Sequence, residues 1–440
     1  MVSAEVVLKH AGQLLAVPPS RSGGAADDVG LVEDGAVAVA EGRVFWTGPT
    51  ESLGSHVGIG PRTEVYDLHG RVVTPGLVDP HTHLVFAGSR EREFAERAAG
   101  RPYLEILAAG GGILSTVRAT RAASEEDLVA AALPRLQRLL SFGVTTVEAK
   151  SGYGLSVDDE LKILRATWRL NEVQPIRIVP TFLGAHAVPP EYSGRKADYV
   201  RYVVSEMLPA VAGERLAEFC DVFLDEGAFD AADARRILGR GLELGMRPRL
   251  HAGQFRDLGG AELAAEIGAA SADHLEHVSD AGIRAMAKAG VVAVLLPGAA
   301  LSLGAHPPNA SRFVRAGVRV ALSTDLNPGT SMTENLPLMT TLGVAYGKLT
   351  PEQAIRAVTD HAAAAIGRSG SVGTLAIGAE ADIAVFDVSD YRLIPYHYGV
   401  CHAEMVLVGG RVAWSREPIR REPPRDRAAG GQEKAARKSR

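Results

Sequence analysis

The sequence predicts an α/β protein: a (β/α)8 TIM-like barrel with a small β-sandwich domain built from both termini. Three observations predict it. From Arg71 onward, short apolar runs alternate with amphipathic helical stretches, the texture of repeated βα units on a parallel sheet. Those runs number eight before the pattern ends near residue 373. On either side, residues 1–70 and 374–415 carry short β-like runs broken by turn residues.

In chain order, the first part offers Glu5–Leu8, Ala36–Glu41 and Val44–Gly48 as strands, with Pro18–Asp28 as a polar loop. Barrel strands are expected at Val72–Asp79, Val144–Ala149, Ile176–Phe182 and Asp221–Asp225. Four more follow at Arg247–His251, Ala272–Leu275, Val291–Leu296 and Arg319–Ser323. The helices between them announce their starts. Ser124-Glu-Glu-Asp sets a polar cap and an acidic first turn before Leu128–Leu140. Thr350-Pro-Glu-Gln does the same before Ala354–Ile366, with Pro351 at the first helical position. The β texture returns at Ala381–Phe386, Ala403–Val408 and Arg411–Trp414. A two-piece β domain, residues 1–70 and 374–415, is thus expected to frame a barrel domain of residues 71–373.

At 440 residues the chain can bury enough surface to fold without staples. Its two cysteines, Cys220 and Cys401, leave no disulfide framework, which suits a reducing cytoplasm. Lys and Arg total 47 against 52 Asp and Glu, so the net charge of −5 offers no general footprint for nucleic acid. The opening MVSAEVVLKHAGQLL lacks the layout of a signal peptide. No run approaches the ~18 apolar residues of a membrane span. Residues 416–440 stand apart, with nine Lys/Arg, four Asp/Glu and Ile419 as the one large aliphatic residue. They predict a disordered basic tail. That tail carries +5 (nine minus four), leaving −10 on the body, so an anionic ligand must be drawn in by local groups.

In such a barrel, catalytic groups stand at the C-terminal ends of strands. The first strand ends Asp79-Pro-His81-Thr-His83, and two His at i and i+2 on an extended segment point to one side. The fifth ends in His251, and the eighth in Ser323-Thr-Asp325-Leu-Asn327. A lone His-x-His is as easily a pair of packed histidines. Three imidazoles and a carboxylate converging on one barrel mouth instead suit Zn2+, and such nitrogen-and-oxygen sites also take Fe2+ or Mn2+.

Thr74-Pro-Gly-Leu-Val-Asp-Pro-His-Thr-His83, His251 and Ser323-Thr-Asp325 together resemble the metal-dependent amidohydrolase superfamily, whose members pair a barrel with a β-sandwich made from both termini. Further motifs resemble its imidazolonepropionase family. They are His81-Thr-His-Leu-Val-Phe-Ala-Gly-Ser-Arg-Glu-Arg-Glu-Phe94, Glu148-Ala-Lys-Ser-Gly-Tyr-Gly-Leu155 and Thr181-Phe-Leu-Gly-Ala-His186. Ala272-Asp-His-Leu-Glu-His277 and Asp325-Leu-Asn-Pro-Gly-Thr-Ser331 complete the set. This resemblance implies opening of the five-membered ring of 4-imidazolone-5-propanoate by water, giving N-formimidoyl-L-glutamate in histidine degradation. It implies His81, His83, His251 and Asp325 as ligands of one Zn or Fe ion per subunit. It also implies Arg90, Tyr153, His186, Asn327, Gly329 and Thr330 as substrate contacts.

These assignments make chemical sense. A planar guanidinium grips a carboxylate bidentately, so Arg90 fits the substrate's propionate, although an ion pair with Glu91 or Glu93 would use it equally well. Flanking glycines let the Tyr153 loop approach a ligand closely. His186, in isolation, reads as a structural histidine. One departure stands out: some family members read His-Ala-Asp-Glu where this chain reads His251-Ala-Gly-Gln254. Gln254 can hydrogen-bond the ring but cannot accept a proton. The base role therefore moves to Asp325, with His274 orienting the nucleophile or stabilising the tetrahedral intermediate. A metal would lower the pKa of bound water toward ~7. The fourth strand end, Phe223-Leu-Asp-Glu-Gly227, has no Lys to bridge two ions, which favours one.

Two other readings compete. A nucleobase deaminase would share three His and an Asp, but a neutral base has no carboxylate for Arg90 to clamp. A non-catalytic scaffold on the same fold would show a damaged ligand set, and this one is intact. The expected partners are a small-molecule substrate and, on frequency alone, a second subunit in a homodimer.

Overall fold

At Gly76 the chain passes from one sheet to another, and that residue explains the division of the molecule. In the computed structural model, which describes residues 2–20, 27–101, 105 and 110–417, the expected strand Val72–Asp79 is two strands. Val72–Pro75 pairs antiparallel with Ile383–Phe386 and parallel with Val6–Leu15, so it joins a sheet made from both ends of the chain. Leu77–Asp79 pairs parallel with Val144–Lys150 and opens the barrel. A Cβ at position 76 would collide with the Thr145 side chain, so only glycine lets the chain make this step.

The barrel continues through Arg177–Ala185, Phe219–Leu224, the broken fifth strand Arg247–Pro248 and Leu250–Ala252, Ser271–His274, Val292–Leu295 and Val320–Leu322. Each strand pairs parallel with the next. Closure is made just beyond the strand ends, by a parallel bridge between Thr82 and Leu326 and by His83 N–H donating to Leu326 O at 2.9 Å. The end sheet runs in the order Arg411–Ser415, Ala403–Val408, Ile383–Phe386, Val72–Pro75, Val6–Leu15, Leu31–Ala40, Arg43–Pro49. Its strands alternate faces: Val73, Ile383, Val385 and Leu407 pack within the β layer, while Val72, Ala384, Phe386 and Val406 pack on the barrel's helices.

The helix starts form as their sequences predict. Ser124 Oγ accepts from Asp127 N–H at 3.1 Å, closing a reciprocal capping box at the head of Glu125–Ser141. Thr350 does the same with Gln353. The expected helix Ala354–Ile366 is instead two, Pro351–Ala357 and Asp360–Ala365, because Thr359 leaves helical backbone at φ −131°, ψ −102°. No helix among the described residues is long and apolar enough to cross a membrane. The tail expected at residues 416–440 lies, beyond Glu417, outside the described residues.

Inside the barrel, one layer is apolar, with Val78, Val179, Phe219, Val292 and Val294 filling the interior. Above it the inward positions turn charged. Period-two alternation places Glu148 and Lys150, Asp221, Arg249 and Asp273 on the inner face, all buried.

Candidate active site

Above that charged layer, the strand ends gather a cluster of imidazoles. The His81 ring centroid lies 4.5 Å from that of His251, 5.5 Å from His83 and 5.7 Å from His274. Asp325 Oδ1 stands 3.5 Å from His81 Nε2 and 3.6 Å from His83 Nε2. Ligand atoms fall within 4.8 Å of one another in two overlapping triads, His81–His83–Asp325 and His81–His251–His274. His81 is common to both. His81 Nε2, His251 Nε2 and Asp325 Oδ1 are buried without a hydrogen-bond partner. Unpaired buried polar atoms are costly, and such atoms gathered at one barrel mouth are what a metal ion satisfies.

The protonation of His81, His83 and His251 agrees. Burial, reinforced by Lys150 for His81 and by His186 for His83, holds both rings well below the ordinary imidazole range, so they are neutral. Burial also lowers His251, against the pull of Asp221. Burial pushes Asp325 up to about 7. His274 goes the other way: burial lowers it, but Glu276 and Asp325 outweigh that and raise it.

The backbone makes this convergence possible. His274, Leu275 and Asp325 hold φ of 77°, 68° and 51°, left-handed values that non-glycine residues seldom adopt. Each costs on the order of 1–3 kcal/mol and persists because the surroundings fix it. For Asp325 the fixing is visible. Asp79, at the end of the first strand, accepts from Thr324 Oγ1 at 2.6 Å, Thr324 N–H at 3.2 Å and Ser323 Oγ.

Beneath the cluster lies a network that the sequence reading did not single out. Asp273 Oδ2 accepts from His81 Nδ1 at 2.6 Å and Arg249 Nη2 at 2.9 Å. Asp221 Oδ2 is 2.9 Å from His251 Nδ1, at ion-pair distance though not aligned for a hydrogen bond. Lys150 Nζ donates to that same Asp221 oxygen at 2.7 Å and to Glu148 Oε1 at 2.9 Å, and stands 3.6 Å from Asp273. Burial alone would raise Asp221; His251 and Lys150 together hold it below the usual carboxylate range. The signal available in sequence was the alternation itself, since charged residues at i and i+2 of a barrel strand must face the interior and find partners there.

The expected substrate residues divide. Tyr153 and His186 join the cluster: the His186 ring stacks on His83 at 5.0 Å, and Tyr153 lies 5.7 Å from His83 and 5.4 Å from His186. His186 Nδ1 donates to Gly152 O at 3.0 Å, leaving Nε2 as an acceptor, and burial lowers its pKa to about 3. The Tyr153 loop is held by Glu160, whose carboxylate accepts from Gly152, Gly154 and Leu155 N–H at 2.7–2.9 Å. Asn327 is occupied within its own turn. Its amide donates to Asp325 O and Thr330 Oγ1, while its Oδ1 accepts from Gly329 and Thr330 N–H at 2.8 Å each. Arg90 is ion-paired with Glu93 at 2.9 Å. Gln254 is half-buried; its main-chain N–H donates to Asp225 at 2.7 Å, and its side chain makes no hydrogen bond among the described residues.

Residues 89–414 match the family described as Amidohydrolase family. The chain is 50% identical to the imidazolonepropionase of Myxococcus xanthus (strain DK1622) over 410 residues, 93% of this chain and 97% of that protein. It is 50% identical to the imidazolonepropionase of Geobacillus kaustophilus (strain HTA426) over 386 residues, 88% and 91% of the two chains. The chain belongs to the imidazolonepropionase family of amidohydrolases. Among solved structures, an adenosine deaminase from Xanthomonas campestris with bound zinc matches this amidohydrolase with a TM-score of 0.72, over 95% of this chain and 94% of that one, at 17% identity. Escherichia coli guanine deaminase matches at 0.66 over 93% and 99%, at 15% identity. At such identities these deaminases share the fold, and they do not argue for the deaminase reading.

Proposed function

We propose that this amidohydrolase opens the cyclic amide of 4-imidazolone-5-propanoate with water to give N-formimidoyl-L-glutamate, a step of histidine degradation. The observation that carries the reading is 50% identity to an imidazolonepropionase over 93% of the chain. We further propose one Zn or Fe ion per subunit, held by His81, His83, His251 and Asp325, and a homodimer. When bound, the metal supplies Lewis acidity and a lowered pKa for water.

The chain's own residues account for the rest. A bond forms between the water oxygen and the ring carbonyl carbon, and the bond from that carbon to the ring nitrogen breaks. Asp325 takes the proton from water and returns it to the leaving nitrogen. His274, at the end of the sixth barrel strand, donates to the developing oxyanion. His186 Nε2 and the Tyr153 hydroxyl orient the ring, and Gln254 hydrogen-bonds it without taking a proton. Arg90 pairs with the propionate, while Gly329 and Thr330, which share the turn clasped by Asn327, line its approach. The engagement of the Lys150 ammonium by two carboxylates supports the reading of one ion.

The test is an ultraviolet assay of imidazolone loss by purified protein, run beside guanine, adenine and cytosine, before and after chelation. Turnover of the imidazolone alone, abolished by chelator and restored by Zn2+ or Fe2+, is expected. Turnover only of a nucleobase overturns the reading.

A further inference from the structure

A cavity of about 470 Å3 opens beside Arg90, walled by Phe86, Phe94, Gly329 and Met339. Phe86 packs on Tyr153 at 6.2 Å, and Tyr153 in turn on His83, so these two side chains link the wall of this cavity to the imidazole cluster. What Arg90 presents to it is decided on its other side. Glu93 Oε2 accepts from Arg90 Nε at 2.9 Å and lies 2.9 Å from Arg90 Nη2. The carboxylate is itself anchored by Gly112 N–H at 3.1 Å and Ser115 Oγ at 3.0 Å. Gly112 sits at φ 74°, ψ −159°, a conformation open to glycine, which turns its N–H toward Glu93 at the head of helix Ile113–Ala122. Opposite, Gly329 has no side chain, and a Cβ there would overlap Arg90 Nη1.

A guanidinium has five N–H donors in a rigid fork. With the Nε edge taken by Glu93, the edge left over is the pair Nη1 and Nη2, which matches a carboxylate end-on. We propose that Glu93 is a positioning and specificity residue. It fixes the rotation of Arg90 so that this edge faces the cavity, and the site thereby selects substrates ending in a carboxylate over neutral ones of the same shape. This inference rests on the reading that Arg90 takes the substrate's propionate. Glu93 acts through Arg90 and touches no reacting atom.

The experiment compares wild type, R90A, E93A and R90A/E93A on 4-imidazolone-5-propanoate and on its propanamide analogue, with thermal unfolding as a control. A hydrogen bond to a charged group contributes about 1.5–3 kcal/mol, so R90A and E93A should each raise KM for the acid about tenfold or more, with kcat moving far less. Neither should alter KM for the amide comparably, and the double variant should be no worse than R90A, because Glu93 has nothing left to position. If R90A leaves KM for the acid unchanged, the reading of Arg90 fails. If R90A raises KM but E93A does not, the Glu93 proposal fails alone. It also fails if E93A harms acid and amide equally, or if the double variant is worse than R90A by more than about threefold.

Discussion

Asp273 Oδ2 lies 2.6 Å from His81 Nδ1, and the same oxygen receives Arg249 at 2.9 Å. A carboxylate in that position decides which imidazole nitrogen carries the proton and turns the other, Nε2, toward Asp325. Partners of this kind commonly contribute 10–100-fold to metal affinity. D273N should therefore weaken metal binding by about that factor while leaving the ligand atoms in place. Competition against a chromophoric chelator measures it. Equal affinity in wild type and variant would show that Asp273 serves the fold alone.

How much of this was legible in the sequence depends on how local each signal was. The His81-x-His83 pair, His251 and Asp325 could be placed from strand ends, and the structure distributes them over two triads that share His81, with His274 in the second. Ser124 and Thr350 could be read as helix caps because capping involves residues only three apart. Gly76 could not be read as a sheet boundary, because its constraint comes from Thr145, far along the chain. Thr359 likewise breaks a helix whose sequence pattern runs on. Asp221, Asp273 and Lys150 look like ordinary polar residues of strands until the barrel closes and brings both carboxylates within 4 Å of the Lys150 ammonium. Arg90 illustrates the remaining difficulty. In sequence its pairing with Glu93 and its service to a substrate are alternatives, whereas the geometry allows both, one on each edge.

Glu160 offers a test of the Tyr153 loop. Its buried carboxylate satisfies three main-chain N–H groups of residues 152–155. E160A would leave those donors unpaired, at about 1–3 kcal/mol for each group that water cannot reach. The variant should lose at least 2 kcal/mol or so in urea unfolding, and KM for the imidazolone should rise as Tyr153 loses its place. A stable variant with unchanged KM would mean that the loop is held by other contacts.

His361 predicts an acid-side loss of stability. It is buried beside the start of the eighth barrel strand, with Nδ1 donating to Val320 O at 3.0 Å and Nε2 3.2 Å from Ser20 Oγ. Burial, opposed by Asp360, lowers its pKa from 6.5 to about 4. Between those values the unfolded chain binds the proton and the native protein does not. Stability contributed by the neutral ring is therefore present above pH 6.5 and is lost as pH falls through about 4, by on the order of 3 kcal/mol. Asp79, raised by burial to about 6, acts with the opposite sign, so the comparison must be with a variant. Urea midpoints from pH 7 to 4 should fall less steeply in H361N than in wild type. Parallel curves would remove His361 as the cause.

Lys150 is the one ammonium among three buried carboxylates, Glu148, Asp221 and Asp273, with Arg249 as the other cation. Removing one partner of a buried ion pair costs about 3–5 kcal/mol, because the charge left behind has neither water nor counter-ion. K150M should be destabilised by that order, and the loss should depend on pH. Without Lys150 the burial that raises Asp221 and Asp273 is less opposed and their folded-state pKa values rise, so the native state binds protons more readily as pH falls and the penalty is largest at alkaline pH. Guanidinium unfolding at pH 5 and pH 8 should show a smaller loss at pH 5. Neutralising one carboxylate as well, in K150M/E148Q, should recover part of it, since the two changes share one network. A K150M loss of under about 1 kcal/mol at pH 8, the size of an ordinary surface substitution, would mean that the carboxylates relax onto Arg249 without the lysine.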